Sequence, residues 1–176
     1  MYNGSNKNVA SNSLNYGAGI YSYRSNIETC RIHNNKTKNG SGGGIYSVSG
    51  TLSNSKIYNN ESIDNNGGGA YLISSTMTDC SVYGCSAIAS TYSYVSGGGV
   101  FCQNSTIDNC EIYRNTSGYV AGGVRLTSNS FIRNSKIYEN NASSSGGGVL
   151  SENDSYIIKC LIENNKSGYN GGGGYH

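Results

Sequence analysis

The chain has 176 residues, with 12 Lys and Arg against 10 Asp and Glu and a formal net charge of +2. That balance carries neither the basic stripe of a nucleic-acid binder nor an acidic tail. Hydrophobic residues make up 35% of the chain, and no apolar run reaches the roughly 18 residues that a transmembrane segment needs. Proline is absent, while Gly is counted 26 times and Tyr 16 times. This suits a chain of strand ladders and tight turns, because proline has no N–H to give a ladder.

Residues 1–19 read as the tail of a partial first coil. Six periods follow, each opening behind a glycine cluster, at Ile20, Ile45, Ala70, Val100, Val124 and Val149; residues 171–176 start a seventh at Gly174. Successive gaps are 25, 25, 30, 24, 25 and 25 residues. Such regularity marks one supersecondary unit stacked on copies of itself, each burying its apolar side against its neighbours. The chain is therefore expected to form a single domain over residues 1–176, with residues 20–170 making six coils. Both ends fall inside a repeat, which leads to the expectation of a longer parent β-helix or a protomer that stacks end on end.

Each period holds two strand-like runs. In the first, alternation points Ile45 and Ser47 inward and Tyr46 outward, and the copy "GVRLT" keeps this phase with Val124 and Leu126 inward and Arg125 outward. The second run has apolar columns Ile27/Leu52/Met77/Ile107/Ile132/Ile157 and Ile32/Ile57/Val82/Ile112/Ile137/Ile162, with Cys30/Ser55/Cys80/Cys110/Ser135/Cys160 between them. The step from the first column to the Cys/Ser column is three residues, so a bend is needed to keep both sets inward. Three residues beyond the second column stands Asn35/Asn60/Cys85/Asn115/Asn140/Asn165, read as an asparagine ladder at a turn. A polar loop is expected to return from there to the glycines. The spacing also matches a leucine-rich repeat, but leucine is sparse and the other half of the period shows a second strand in place of a helix. The fold expected is all-β: a right-handed parallel β-helix, or solenoid, with two or three short strands per coil.

The tetrapeptides "GAGI", "GGGI", "GGGV" and "AGGV", followed by "IHNNKT", "IYNNES", "IYRNTS", "IYENNA" and "IENNKS", resemble the GGAI and FxxN marks of the polymorphic outer-membrane protein family. Here Ile stands at the Phe position of these copies. The resemblance covers essentially the whole chain. It implies a surface-exposed β-helix of the autotransporter-passenger kind, used in adhesion.

Parallel β-helices also include polysaccharide lyases and hydrolases, which need clustered carboxylates on an outward face. Acids do not share a column on successive coils here. Asp79 and Asp108 are the best diagonal pair, and His33 and His176 stand far apart. No catalysis, metal or cofactor is expected. The clearest surface features are two aromatic columns, Tyr21/Tyr46/Tyr71/Phe101 and Tyr58/Tyr83/Tyr113/Tyr138. They are read as stabilising ladders or as strips that contact sugar rings or neighbouring molecules. The 30-residue period inserts a loop carrying Tyr92 and Tyr94, a second candidate contact. Cys80 and Cys110 fall on successive coils, within reach of a disulfide by strand spacing.

Together these features lead to the expectation of a non-enzymatic structural or adhesive segment of an extracellular or cell-surface protein or fibre. Its expected partners are neighbouring copies or flanking coils of the same protein, with a host surface or glycan as a further candidate. A carbohydrate-active or carbohydrate-binding β-helix is the alternative.

Overall fold

The computed structural model describes residues 9–10, 16–90 and 94–175, the first and last pairs as backbone alone. It is an all-β solenoid of about six turns of ~25 residues, built entirely from parallel strands. Each coil has four faces, one more than the most that the sequence suggests. The first face stacks Ile20–Tyr23, Ile45–Val48 and their equivalents, and the second stacks Asn26–Glu28, Thr51–Ser53 and onward. The third runs from Arg31–His33 and Lys56–Tyr58, and the fourth from Lys36–Lys38 and Glu61–Ile63. The segment expected as a polar loop therefore contains a strand.

Within a coil the inward positions step by two and three in alternation. Ile27, Cys30, Ile32, Asn35 and Thr37 all face the axis, and the three-residue steps fall at the corners. Fourth-face strands carry Thr37, Ser62, Ala87, Ser117 and Ala142 inward, all essentially sealed from solvent. Along the other faces the core is aliphatic: Ile45, Leu52, Ile57, Leu72, Met77, Ile107, Ile112, Leu126, Ile132 and Ile137 are fully buried. The pairing is in register, as with Ile57 between Ile32 and Val82. Like side chains therefore stack on like, one strand spacing (~4.8 Å) apart.

Corners set the composition. The residue closing most strands takes a positive φ, as in Asn34 (57°), Asn54 (48°), Asn59 (53°), Asp79 (52°) and Asn109 (49°). Asn and Asp enter this left-handed region more readily than other residues with a Cβ. Arg24, Thr29 and Lys159 adopt it too, at a cost of about 1–2 kcal/mol each. The turned N–H then reaches the next coil: Asn54 donates to the Thr78 carbonyl at 3.2 Å, and Asn59 to the Tyr83 carbonyl at 3.1 Å.

Three corners are lined by polar ladders. At the first, Ser75 N–H donates to Ser105 Oγ and Ser105 N–H to Ser130 Oγ, both at 3.1 Å. At the second, Cys30 N–H donates to Ser55 Oγ and Cys110 N–H to Ser135 Oγ, both at 3.0 Å. At the third, the expected asparagine ladder is in place. Asn115 Nδ2 donates to Asn140 Oδ1 at 3.0 Å and to the Val82 carbonyl at 3.0 Å, while its Oδ1 accepts from Cys85 N–H at 2.9 Å. Each amide thus satisfies groups on three coils, which buried polar atoms require. Cys85 interrupts the ladder: Asn60 Nδ2 meets its sulfur at only 4.0 Å.

Candidate functional site

Both aromatic columns form, and their surroundings differ. The second is a continuous stack, His33–Tyr58–Tyr83–Tyr113–Tyr138, with centroids 4.6, 5.1, 5.0 and 4.9 Å apart and planes within 11° of parallel. Its rings cover one another face to face, so mainly their edges meet solvent. The first runs Tyr21–Tyr46–Tyr71–Phe101 at 5.7, 5.1 and 4.6 Å. Exposure falls along it, with Tyr21 exposed and Tyr46 and Tyr71 half-buried. Tyr16 lies against Tyr46 at 4.5 Å, and Phe101 is buried. Burial, with the neighbouring tyrosines, pushes the Tyr46 phenol up to about 12.

Beyond Phe101 the column changes chemistry. The Arg125 guanidinium lies 5.5 Å from the Phe101 centroid and donates from Nε and Nη2 to Glu152 Oε2 at 3.1 and 2.8 Å. Its Nη1 donates to Ser96 Oγ at 3.1 Å. Leu150, next in the column, is buried with Val120 and Ala121. Tyr94 meets Tyr119 edge-on at this point, with centroids 4.9 Å apart and planes at 66°. These two rings, Val120, Arg125, Leu150 and Glu152 line an open recess of about 380 Å³. Tyr92, named with Tyr94 as a loop candidate, lies outside the described residues, as does His176.

The carboxylates are dispersed. Asp108 is engaged by Asn134 Nδ2 at 2.8 Å and Arg133 Nε at 2.9 Å, which together hold its carboxyl below the usual range. Asp79 instead accepts from Asn109 Nδ2 at 2.6 Å. The diagonal pair is thus split between separate partners. Further inter-coil ion pairs join Lys36 to Glu61, Arg114 to Glu139 and Lys136 to Glu111; such exposed, solvent-screened pairs add little to stability. Among the described residues, no three His, Cys, Asp or Glu side chains gather as a metal site would require.

Cys80 and Cys110 are free thiols, as are the other four cysteines. The candidate disulfide is absent because each sulfur is turned to a backbone carbonyl two residues back, Thr78 for Cys80 and Asp108 for Cys110. The neighbouring Cys80 thiol, and then burial, push Cys110 well above the ordinary thiol range, and the same pairing lowers Cys80, which burial shields from a reagent. Burial alone raises Cys102, and it leads the causes that push Cys85 up to about 12. The thiolate is the reactive form. A thiol reagent at pH 8 is therefore expected to label no more than two cysteines in the folded chain, Cys30 and Cys160 near the ends, and all six after denaturation. Rapid labelling of four or more in the folded chain would show that the Cys/Ser corner does not face inward.

Comparison of the chain with protein-family models, with curated proteins and with solved structures found no match.

Proposed function

We propose that this chain is a structural, non-enzymatic rod segment of an extracellular surface protein or fibre, joined end to end to coils of matching geometry. The observation that carries this is the outer surface of the coil that holds Tyr156–Ile158 and Leu161–Glu163. On the outside of the same coil, Tyr156, Ile158 and Leu161 are 52%, 40% and 49% exposed. Ile158 ends a column that otherwise reads Glu28, Ser53, Thr78, Asp108, Arg133, and Leu161 one that reads Arg31, Lys56, Ser81, Glu111, Lys136.

An exposed apolar rim on columns that are otherwise polar is a surface on which another copy gains by contact. A head-to-tail contact of this kind extends a rod unless it closes into a ring. The likeness of the glycine and asparagine tetrapeptides to outer-membrane passenger repeats supports the surface setting. Val149, near the end in sequence, does not belong to the rim, because Gly174 pairs over it and leaves it fully buried.

Light scattering across a concentration series tests the reading. The parent chain is expected to gain mass with concentration. Leu161→Lys should hold it at the monomer mass, and Tyr113→Lys on the side should leave association intact. A parent that stays monomeric at high concentration overturns end-on stacking. The opposite ranking of the two variants would assign the contact to the tyrosine face.

A further inference from the structure

We infer that the recess beside Tyr94 and Tyr119 is a binding site for a neutral saccharide, independent of whether the rod stacks end on end. A sugar ring is recognised by two features together: an aromatic face against its C–H groups and fixed polar atoms for its hydroxyls. Within the ladders the ring faces are taken up by their neighbours, leaving an uncovered face only on the end rings such as Tyr21 and Tyr138. Tyr94 and Tyr119 supply the first feature. They meet edge to face at 66°, so their contact takes up one ring face and leaves the others uncovered by it, and they are 77% and 37% exposed. Their recess, about 380 Å³, falls within the range of roughly 300–1,000 Å³ usual for ligand sites.

The remaining walls are suited to hydroxyls. Leu150 and Val120 make an apolar floor, and Glu152, Ser144, Ser145 and Asn170 line the sides. Both Arg125 bonds to Glu152 land on Oε2. Oε1 accepts no bond among the described residues and stays available to a hydroxyl donor. The guanidinium is itself held on three of its nitrogens, by Glu152 and Ser96, so the polar wall is rigid before any ligand arrives, which lowers the cost of binding. Charge sets the class of sugar. Arg125 is already neutralised by Glu152, so an acidic sugar finds no free cation in this wall and meets a carboxylate. The insertion that lengthens this one period by five residues, from 25 to 30, is what brings Tyr94 beside the column where the aromatic ladder gives way to Arg125 and Leu150.

Saturation-transfer NMR on the full 176-residue chain, with N-acetylglucosamine, galactose and mannose as neutral probes and N-acetylneuraminic acid as the acidic one, tests the assignment. At least one neutral sugar is expected to bind in the millimolar range and to lose about tenfold in affinity in Tyr94→Ala, the scale of one aromatic contact. Glu152→Gln should weaken it again, and Tyr113→Ala on the outer ladder should leave it unchanged. Tyr94 is exposed enough for its variant to fold, which the chemical-shift pattern of the core checks. Failure of every neutral sugar to bind overturns the proposal. Binding that survives Tyr94→Ala and Tyr119→Ala, or that favours the acidic sugar, does so equally.

Discussion

Ile57→Asp is expected to cost more than about 4 kcal/mol and to lower the melting point by more than about 10 °C. Ile57 is fully buried and paired in register between Ile32 and Val82. A carboxyl there meets hydrocarbon above and below. It must either stay charged without a partner or take up a proton and remain poorly hydrogen-bonded, and both are costly. Against a total stability of about 5–15 kcal/mol for a domain, this removes a large share. Because coils couple only to their neighbours, the loss should also separate the array into two blocks, so unfolding is expected to become biphasic. Lys56→Asp, one residue earlier and pointing outward, should change stability by no more than about 0.5 kcal/mol. Equal effects at 56 and 57 would mean that the strand has no inner and outer side.

That contrast also marks how far the sequence can be read. Columns of Ile, Leu, Met and Val were legible, because an apolar residue at constant period has one physical use: burial against its own copies. The asparagine ladder was legible for a related reason, since an amide repeated on successive coils can satisfy its neighbour. The fourth face was hidden, because its inward column is Thr37, Ser62, Ala87, Ser117 and Ala142, residue types that also fill loops. Their hydroxyls reveal their position only once partners are seen, as when Ser62 donates to the Gly40 carbonyl at 2.7 Å.

The corners were hidden in the same way. Asparagine abundance was visible, but its cause, a positive φ at the end of most strands, lies in the backbone. Alternation placed the tyrosine columns correctly and said nothing of what covers them. The recess had two signals in the chain, the insertion before Val100 and the replacement of an aromatic by Arg125. Its other walls come from Tyr119, Ser144, Glu152 and Asn170, on later coils that only folding brings beside Tyr94.

A single methyl group at Gly99 is expected to cost about 2–6 kcal/mol, comparable to the buried charge. The chain's own copies separate the roles of the three glycines that open each coil. The first place holds Ala121 in one copy and the second holds Ala18 in another, but the third is glycine in all seven: Gly19, Gly44, Gly69, Gly99, Gly123, Gly148 and Gly173. Space is short at the second place as well, where a Cβ on Gly98 would stand 2.2 Å from the Thr116 carbonyl oxygen; what sets the third place apart is the ladder side chain beside it. A Cβ on Gly99 would stand 2.7 Å from the Gly123 carbonyl oxygen and 2.8 Å from Asn115 Nδ2, both far inside van der Waals contact. The carbonyl accepts the N–H groups of Gly99 and Val100 at 3.1 and 2.9 Å, so it can retreat only by opening the seam between coils. Moving Asn115 instead breaks its bonds to Val82, Asn140 and Cys85.

Overpacking of this kind costs about 1–3 kcal/mol, and stranding buried ladder groups adds about 1–3 kcal/mol. A double-mutant cycle separates these contributions. Asn115→Ala removes the amide that the new methyl group strikes. The pair Gly99→Ala and Asn115→Ala should therefore be less damaging than the sum of the two by at least about 1 kcal/mol. Gly118→Ala serves as the control, since its nearest neighbours, Ala89 N and Val95 Cγ2, lie at 3.3 and 3.4 Å, and it should stay within about 1 kcal/mol of the parent. Strict additivity at positions 99 and 115 would mean that the glycine is not there to make room for the ladder, and that the carbonyl seam alone excludes a side chain.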